Sequence, residues 1–142
     1  MNTLPLAPTA RILETAVYTD DLSRARSFYE ETLGFEVMLS TPRLVALNIG
    51  GQSVLLLFQR GLSDEAEETP GGIVPGHGGQ GTQHLAFGIR QDDVAPWTTR
   101  LAAAGIVIES TVHWPRGGES VYFRDPDGHS LELVTDRTWP IC

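Results

Sequence analysis

The stretch VYFRDPDGHSLELVT, residues 121–135, joins two apolar segments through a DPDG sequence at residues 125–128. Proline suits the first central position of a type I turn, and a following glycine relieves backbone with positive φ. The stretch therefore predicts two paired strands. Glu132 lies between Leu131 and Leu133, so strand alternation puts it on the face opposite to them. Such a glutamate is either an edge residue facing water or a carboxylate held inside for a chemical purpose.

The composition predicts one domain over residues 1–142 and excludes several functions. A hydrophobic content of 41% suits a compact domain, and a formal charge of −8 argues against a nucleic-acid partner. All ten basic residues are arginine, which excludes lysine chemistry. The longest apolar run, residues 54–58, is too short to span a membrane, and no secretory signal opens the chain, so we expect a cytoplasmic protein without a membrane partner. Cys142, the single cysteine, cannot form an internal disulfide.

The order strand, helix and three strands occurs twice, which indicates a duplicated plan. Module one, residues 11–60, has an opening strand in ILETAVYTDD, a helix from an Asp21 N-cap to a Gly34 stop, and strands in FEVML, LVALNIG and SVLLLFQR. Module two, residues 82–137, has QHLAFGI, a helix from an Asp93 N-cap to a Gly105 stop, and strands in IVIES, SVYFR and SLELVT. The glycine-rich connector, residues 61–81, is expected to be a linker or lid without regular structure.

Glu14 and His84 occupy matched positions in the opening strands of the two modules. Taken singly, Glu14 reads as a solvated glutamate and His84 as a hydrogen-bonded strand histidine. Together with Glu132 they form two carboxylates and an imidazole on strand faces with small neighbours, a set that a divalent cation stabilises. Three protein ligands leave positions open for water or substrate, as a catalytic metal requires. The sequence thus predicts metal ligands at all three positions, with Glu14 and Glu132 as catalytic carboxylates.

These segments resemble the vicinal oxygen chelate superfamily, the group of glyoxalase I, bleomycin-resistance proteins and extradiol dioxygenases. The resemblance covers residues 11–137 and is carried by VYTDDLSRARSFYEETLGFEV, GTQHLAFGI, LAAAGIVI and, most specifically, VYFRDPDGHSLELV. It implies an α+β fold in which two βαβββ modules form a curled mixed-sheet cup. It also implies a homodimer, in which cups are often built from modules of both chains.

The resemblance also assigns ligands by position. Glu132 matches the family's last-strand glutamate, and His84 matches the histidine that opens the second module. Glu14 stands where many members have histidine and some have glutamine. Aligning GGQSVLLLF with PDGHSLELV puts Leu55 at the place of a fourth ligand of glyoxalase I, and leucine cannot ligate. The implied site has three ligands for Fe, Mn, Zn or Ni, as in the dioxygenases and fosfomycin-resistance transferases.

Four further residues are candidates for contact with substrate: His77, Trp114, Tyr122 and Arg124. His77 lies in the PGHGG loop, where it either caps the cup or is simply solvated. Trp114 either lines the mouth of the cup or packs at a strand end. Tyr122 and Arg124 share a strand face by alternation, and Arg124 offers a bidentate contact to an anion.

Two functions remain open at this point. The first is a glyoxalase-like lyase or isomerase, or a dioxygenase, acting on a small molecule chelated to the metal through adjacent oxygens. The second is a metal-free, bleomycin-resistance-like protein that sequesters a small molecule, for which an acidic surface suits a cationic ligand. The converging carboxylates favour the enzyme.

Overall fold

The protein is described by a computed structural model over residues 3–141, and Cys142 lies outside these residues. The described residues contain ten strands and two α-helices, the first continued by a π-helical turn at Phe28–Thr32. Their bounds are β1 Glu14–Thr19, α1 Leu22–Ser27, β2 Glu36–Ser40, β3 Leu44–Ile49, β4 Ser53–Gln59, β5 Glu67–Thr69, β6 Gly72–Val74, β7 His84–Ile89, α2 Val94–Ala103, β8 Ser110–His113, β9 Glu119–Arg124 and β10 Ser130–Thr135. Over the described part of the chain, no helix has the length and apolar character needed to cross a bilayer.

Each module forms its own four-stranded mixed sheet. The strand orders are β1-β4-β3-β2 and β7-β10-β9-β8, with β1 parallel to β4, β7 parallel to β10, and the other neighbours antiparallel. The predicted α+β class with two βαβββ units is therefore confirmed. β1 and β7 each end their sheet, so each carries an edge that pairs with no other strand of residues 3–141.

One hydrophobic core lies between the two sheets and the helices. Strand alternation supplies it from one face of each sheet, because every second side chain points the same way. Both modules contribute fully buried residues: Val17, Tyr29, Val45, Leu47, Leu55, Leu57, Leu101, Val121, Phe123, Leu131 and Leu133. Burial of these side chains stabilises the packing of one module on the other, and it leaves the opposite sheet faces for other uses.

The helix boundaries follow most of the sequence signals. The Asp21 side chain accepts from the Arg24 backbone N–H at 3.1 Å, so the predicted N-cap is confirmed. Gly34 and Gly105 follow the helices with φ of +80° and +73°, a conformation that favours glycine. Asp93 occupies the N-cap position of α2, as predicted, but its side chain makes no capping hydrogen bond, because Asp93 has helical φ and ψ and ends a 3₁₀ turn that runs into α2.

Two strand predictions also need correction. The strand expected in IVIES begins only at Ser110, because Ile106 and Ile108 reach the core from a loop and so imitate strand alternation. The connector is not wholly irregular, since Glu67–Thr69 pairs with Gly72–Val74 in a small hairpin. All side chains of this hairpin are exposed, so its sequence lacks the alternation of apolar and polar residues that predicts a half-buried strand.

Candidate functional site

His84 and Glu132 meet on the open face of the module-two sheet. The strand that follows the DPDG turn carries Glu132, and its parallel neighbour β7 begins with His84. The Nε2 atom of His84 lies 3.2 Å from Oε1 of Glu132. Glu132 is only 8% exposed, whereas its neighbours Leu131 and Leu133 fill the core on the other face. The glutamate in the apolar strand is therefore a carboxylate held inside, next to an imidazole.

The hydrogen bonds of this pair suit a cation between the two side chains. Nδ1 of His84 lies 2.9 Å from the carbonyl oxygen of Ser130, and a carbonyl only accepts, so Nδ1 carries the proton. In the neutral imidazole Nε2 then presents a lone pair towards a carboxylate oxygen, and two such atoms repel unless a proton or a metal ion lies between them. Metal ligands about 2.1 Å from one ion stand about 3.0–3.4 Å apart, which matches the observed separation. A backbone carbonyl on the far nitrogen is also the usual support of a metal-bound histidine.

The second oxygen of Glu132 is held by a residue that sequence reasoning missed. Ser120, on β9, donates its hydroxyl to Oε2 at 2.5 Å and accepts from Nε1 of Trp114 at 2.8 Å. Trp114 therefore directs its indole N–H at Ser120 rather than at the mouth of a cup. The register of the hairpin was a usable signal, because the DPDG turn pairs Glu132 with Tyr122 and so puts Ser120 on the same face.

Glu14 does not join this pair within one chain. It is exposed at the start of β1, and among residues 3–141 no group of three ligating side chains with atoms within 4.8 Å includes it. It lines a groove of about 540 Å³ between the modules, together with Leu85, Phe87 and the exposed Gly88. The predicted convergence of all three ligands is thus not seen in a single chain.

Tyr122 and Arg124 differ in what they offer. The Tyr122 ring lies nearly parallel to the His84 ring, with centroids 6.4 Å apart. Burial and the neighbouring Glu132 carboxylate raise the pKa of Tyr122, so its hydroxyl remains a donor. The Arg124 guanidinium instead pairs with both oxygens of Glu109, at 2.7 and 3.1 Å, and donates to Gly128 O at 3.0 Å. These contacts engage the Arg124 guanidinium with Glu109 and with the DPDG turn.

The connector covers part of the module-one sheet through His77. Its Nδ1 is 2.7 Å from the Tyr18 hydroxyl, and its ring meets the edge of Phe58 with centroids 4.5 Å apart. Gly79 lets the segment approach, because a Cβ there would lie 2.6 Å from the Tyr18 ring. A cavity of about 700 Å³ lies beside these residues and also contains Glu14 and Arg43. His77 is therefore part of a cavity wall rather than a solvated loop residue.

A second acidic cluster has a different role. Asp125, Asp127 and His129 lie within 4.8 Å of one another, as metal ligands would. However, Nδ1 of His129 accepts from Gln83 N at 2.9 Å, so Nε2 carries the proton and donates to Tyr18 O at 2.7 Å. Neither ring nitrogen has a lone pair left for an ion. The cluster therefore holds the DPDG turn together by hydrogen bonds and is not a metal site.

The strand registers correct the position of the missing fourth ligand. In module one Ala16 pairs with Leu56, and in module two Ala86 pairs with Glu132, so Leu56 and not Leu55 is the counterpart of Glu132. Leu55 lies in the core on the opposite face. The conclusion is unchanged, because the counterpart is a leucine in either alignment.

Comparison of the sequence finds a matching family model and several relatives that are named as enzymes. The model of the Glyoxalase/Bleomycin resistance protein/Dioxygenase superfamily matches residues 11–133. The chain is 34% identical to glutathione transferase FosA of Serratia marcescens over 80% of its own length and 72% of that protein. It is 32% identical to catechol-2,3-dioxygenase of Bacillus subtilis over 83% of its length, but it spans only 40% of that dioxygenase.

Solved structures show the same relationship. The crystal structure of lactoylglutathione lyase from Agrobacterium tumefaciens superposes with a TM-score of 0.86 at 37% sequence identity, covering 95% of this chain and all of the other. The family-model match over residues 11–133 includes Glu14, His84 and Glu132. The chain belongs to the Glyoxalase/Bleomycin resistance protein/Dioxygenase superfamily.

Proposed function

We propose that the protein is a divalent-metal-dependent enzyme that acts on a small molecule through two adjacent oxygen atoms. His84 and Glu132 of one chain hold the ion, and Glu14 of a second copy completes the site in a homodimer. The observation that carries the proposal is the His84–Glu132 pair, in which two acceptor atoms 3.2 Å apart face each other. A proton would hold this pair equally well, so the proposal is tested by metal content.

The second copy is invoked because the site is incomplete in one chain. Glu14 and the His84–Glu132 pair lie on different sheets that share no ladder among residues 3–141. β1 and β7 both have free edges, so each can face a sheet of another molecule. A twofold dimer would bring the module-one face of each chain to the module-two face of the other and would form two equivalent cups.

Each side chain of the proposed site has a separate role around a bound substrate. The ion, when bound, supplies Lewis acidity that stabilises negative charge on a substrate oxygen. His84 and Glu132 keep the ion on the module-two face. Glu14 is exposed, and a carboxylate there is a candidate general base. The protonated Tyr122 donates a hydrogen bond to a substrate oxygen, and His77 closes the cavity on the module-one side.

The three proposed ligands favour a reaction at a metal site with three protein ligands over the reaction of glyoxalase I, whose site has a fourth. Leu56 stands at the counterpart of Glu132, and its side chain has no ligating atom. One imidazole and two carboxylates suit iron, manganese, zinc or nickel, so the metal and the reaction remain to be identified together. A lyase, an isomerase and a dioxygenase are each compatible, and relatives with lyase and dioxygenase names match the chain. The cytoplasmic location also stays a prediction.

Elemental analysis of protein purified without added metal or chelator tests the proposal. Metal in the parent that is absent from His84→Ala and Glu132→Ala supports it, and Arg124→Ala is the matched control that should keep its metal. The identity of the metal then selects the assay: catechol cleavage for iron, hemithioacetal isomerisation for nickel or zinc, and thiol transfer to epoxides for manganese. A parent that neither contains metal nor takes up divalent ions contradicts the proposal.

A second function is a metal-free protein that sequesters a small molecule. The observation that favours it is the cavity of about 700 Å³ on module one, bounded by the aromatic side chains of Tyr18, Phe58 and His77. In this case a proton would occupy the space between His84 and Glu132. Binding of cationic aromatic compounds to the metal-free protein, unchanged in His84→Ala, would select this function.

A further inference from the structure

Three side chains, Trp114 just after β8, Ser120 on β9 and Glu132 on β10, form a hydrogen-bond relay that ends on Glu132. Nε1 of Trp114 donates to Oγ of Ser120 at 2.8 Å, and the Ser120 hydroxyl donates to Oε2 of Glu132 at 2.5 Å. Ser120 is fully buried and Glu132 nearly so. We propose that Ser120 and Trp114 are positioning residues that make Glu132 a one-oxygen ligand, with Oε1 reserved for the ion. This inference rests on the proposed function and concerns the same site.

The direction of each hydrogen bond follows from the chemistry of the groups. An indole N–H donates and has no lone pair to accept, so the Ser120 oxygen is the acceptor of the first bond. The only proton of the hydroxyl is then committed to Glu132, since a carboxylate oxygen only accepts. Both hydrogen bonds therefore run in one direction, from Trp114 through Ser120 to Glu132. A hydroxyl that accepts a hydrogen bond also becomes a stronger donor.

The relay selects which carboxylate oxygen is available. Oε2 of Glu132 is occupied by Ser120, whereas Oε1 faces Nε2 of His84 at 3.2 Å. Rotation of the carboxylate to a two-oxygen mode would break the short Ser120 bond. Ser120 therefore sets the orientation of the Glu132 carboxylate.

The turn between β8 and β9 explains why Trp114 reaches this position. Trp114 N donates to Gly118 O at 2.8 Å, and Gly117 N donates to Trp114 O at 2.9 Å. Pro115 takes the first central position, which its fixed φ suits. The turn thus returns the chain so that Trp114 and Ser120 are six residues apart in sequence but in direct contact. A tryptophan that only packed at a strand end would not need its N–H aimed at a buried serine.

Binding of cobalt(II) alone provides a readout that does not depend on turnover. We expect the parent to develop a visible absorption spectrum on titration, and Ser120→Ala to bind about 10–100-fold more weakly with a changed spectrum, the usual cost of losing an outer partner of a metal ligand. Ser120→Thr keeps the hydroxyl and should restore most of the affinity. Trp114→Phe keeps the hydroxyl and loses only its support, so a smaller loss of about 2–10-fold is expected. Ser110→Ala, an exposed serine of β8 in the same sheet, is the matched control.

The indole N–H of Trp114 reports on the relay in the unaltered protein. The chain has three tryptophans, at positions 97, 114 and 139. In ¹H–¹⁵N spectra, assigned with single Trp→Phe variants, the Trp114 indole signal should shift when zinc(II) binds, because the ion draws charge from Glu132. The Trp97 signal, from a ring packed on Phe35 with centroids 6.5 Å apart, should stay in place.

The possible results separate the relay from the metal site. A parent that binds cobalt while Ser120→Ala binds it with the same affinity and spectrum overturns the relay and leaves the proposed function standing. A Trp114 indole signal that does not shift at saturating zinc in the unaltered protein also overturns the relay and leaves the proposed function standing. A parent that binds neither ion overturns both. Loss of affinity in Ser120→Ala, rescue in Ser120→Thr and a selective Trp114 shift together support the proposal.

Discussion

Tyr29 of module one donates its hydroxyl to Oδ2 of Asp125 in module two across 2.7 Å, and both side chains are buried. The other oxygen of Asp125 accepts from the backbone N–H groups of Asp127 and His129, at 3.0 and 2.9 Å. A single carboxylate thus shapes the DPDG turn and ties it to the helix of the other module. The DPDG turn, which the sequence predicted, therefore also connects the two modules through a buried hydrogen bond.

We predict that Tyr29→Phe destabilises the protein by about 1–3 kcal/mol, because it leaves a buried carboxylate oxygen without its donor. Urea unfolding followed by circular dichroism measures the change. A double-mutant cycle with Asp125→Asn isolates the pair, and a coupling free energy near zero would show that the bond contributes nothing beyond side-chain packing.

Tyr29 should also impose a pH dependence on the alkaline side. Burial, followed by the charge and hydrogen bond of Asp125, raises the pKa of Tyr29 above the ordinary value near 10. The folded state then keeps a proton that the unfolded state releases, so stability is fully present below about pH 10 and falls above it by about 1.4 kcal/mol per pH unit. The difference between the parent and Tyr29→Phe should therefore shrink as the pH rises from 10 to 11. A constant difference over that range would contradict the assignment.

Mixed dimers test whether Glu14 acts across a subunit boundary. Glu14→Ala and Glu132→Ala should each lose metal binding as homodimers. When the two are co-expressed, half of the dimers are mixed and one of their two cups is intact, so about a quarter of the sites should recover. The measurement is the metal content of the mixed dimer, purified through a separate tag on each chain, in which half of the sites should be filled. Recovery of none, with mixed dimers present, would place Glu14 in the same chain as the pair. Metal retained by Glu14→Ala homodimers would place Glu14 outside the site.

Arg100 offers a prediction about the packing of the two helices. Its Nε donates to Thr32 O at 2.6 Å and its Nη2 to Glu31 O at 3.1 Å, so it satisfies carbonyls at the end of the first helix. We expect Arg100→Ala to lower the free energy of unfolding by about 1 kcal/mol. Arg90→Ala, whose carboxylate contacts lie at 3.7 and 3.8 Å on the surface, should change it by less than about 0.5 kcal/mol. Equal effects would assign the loss to charge rather than to capping.

The sequence predicted the elements that depend on local pattern. Alternation placed Glu132 on the face opposite Leu131, and the helix stops at Gly34 and Gly105 follow from backbone that favours glycine. The late start of β8 was missed because the apolar Ile106 and Ile108 can reach the core from a loop as well as from a strand. Single-strand patterns do not distinguish the two cases.

The candidate site was predicted only in part, for a different reason. His84 and Glu132 lie on paired strands, so the order of elements sufficed to bring them together. The distance from Glu14 to this pair depends on how one module packs on the other, and no periodicity within a strand encodes that. The contact between Trp114 and Ser120 depends on side-chain rotamers in a tight turn, which sequence spacing leaves open.

The free edges of β1 and β7 have a consequence for solubility. An exposed strand edge invites pairing with another chain, and proteins protect such edges with polar or charged side chains. Glu14 and His84 are the first residues of these two strands, so the same side chains that we assign to an ion also discourage edge-to-edge aggregation. Valine or isoleucine at position 14 would extend an apolar run from Ile12 and Leu13, both exposed, and should make the chain prone to fibrous self-association. Alanine has a low strand propensity, so Glu14→Ala should remove the ligand without making the strand edge more prone to pair with another chain.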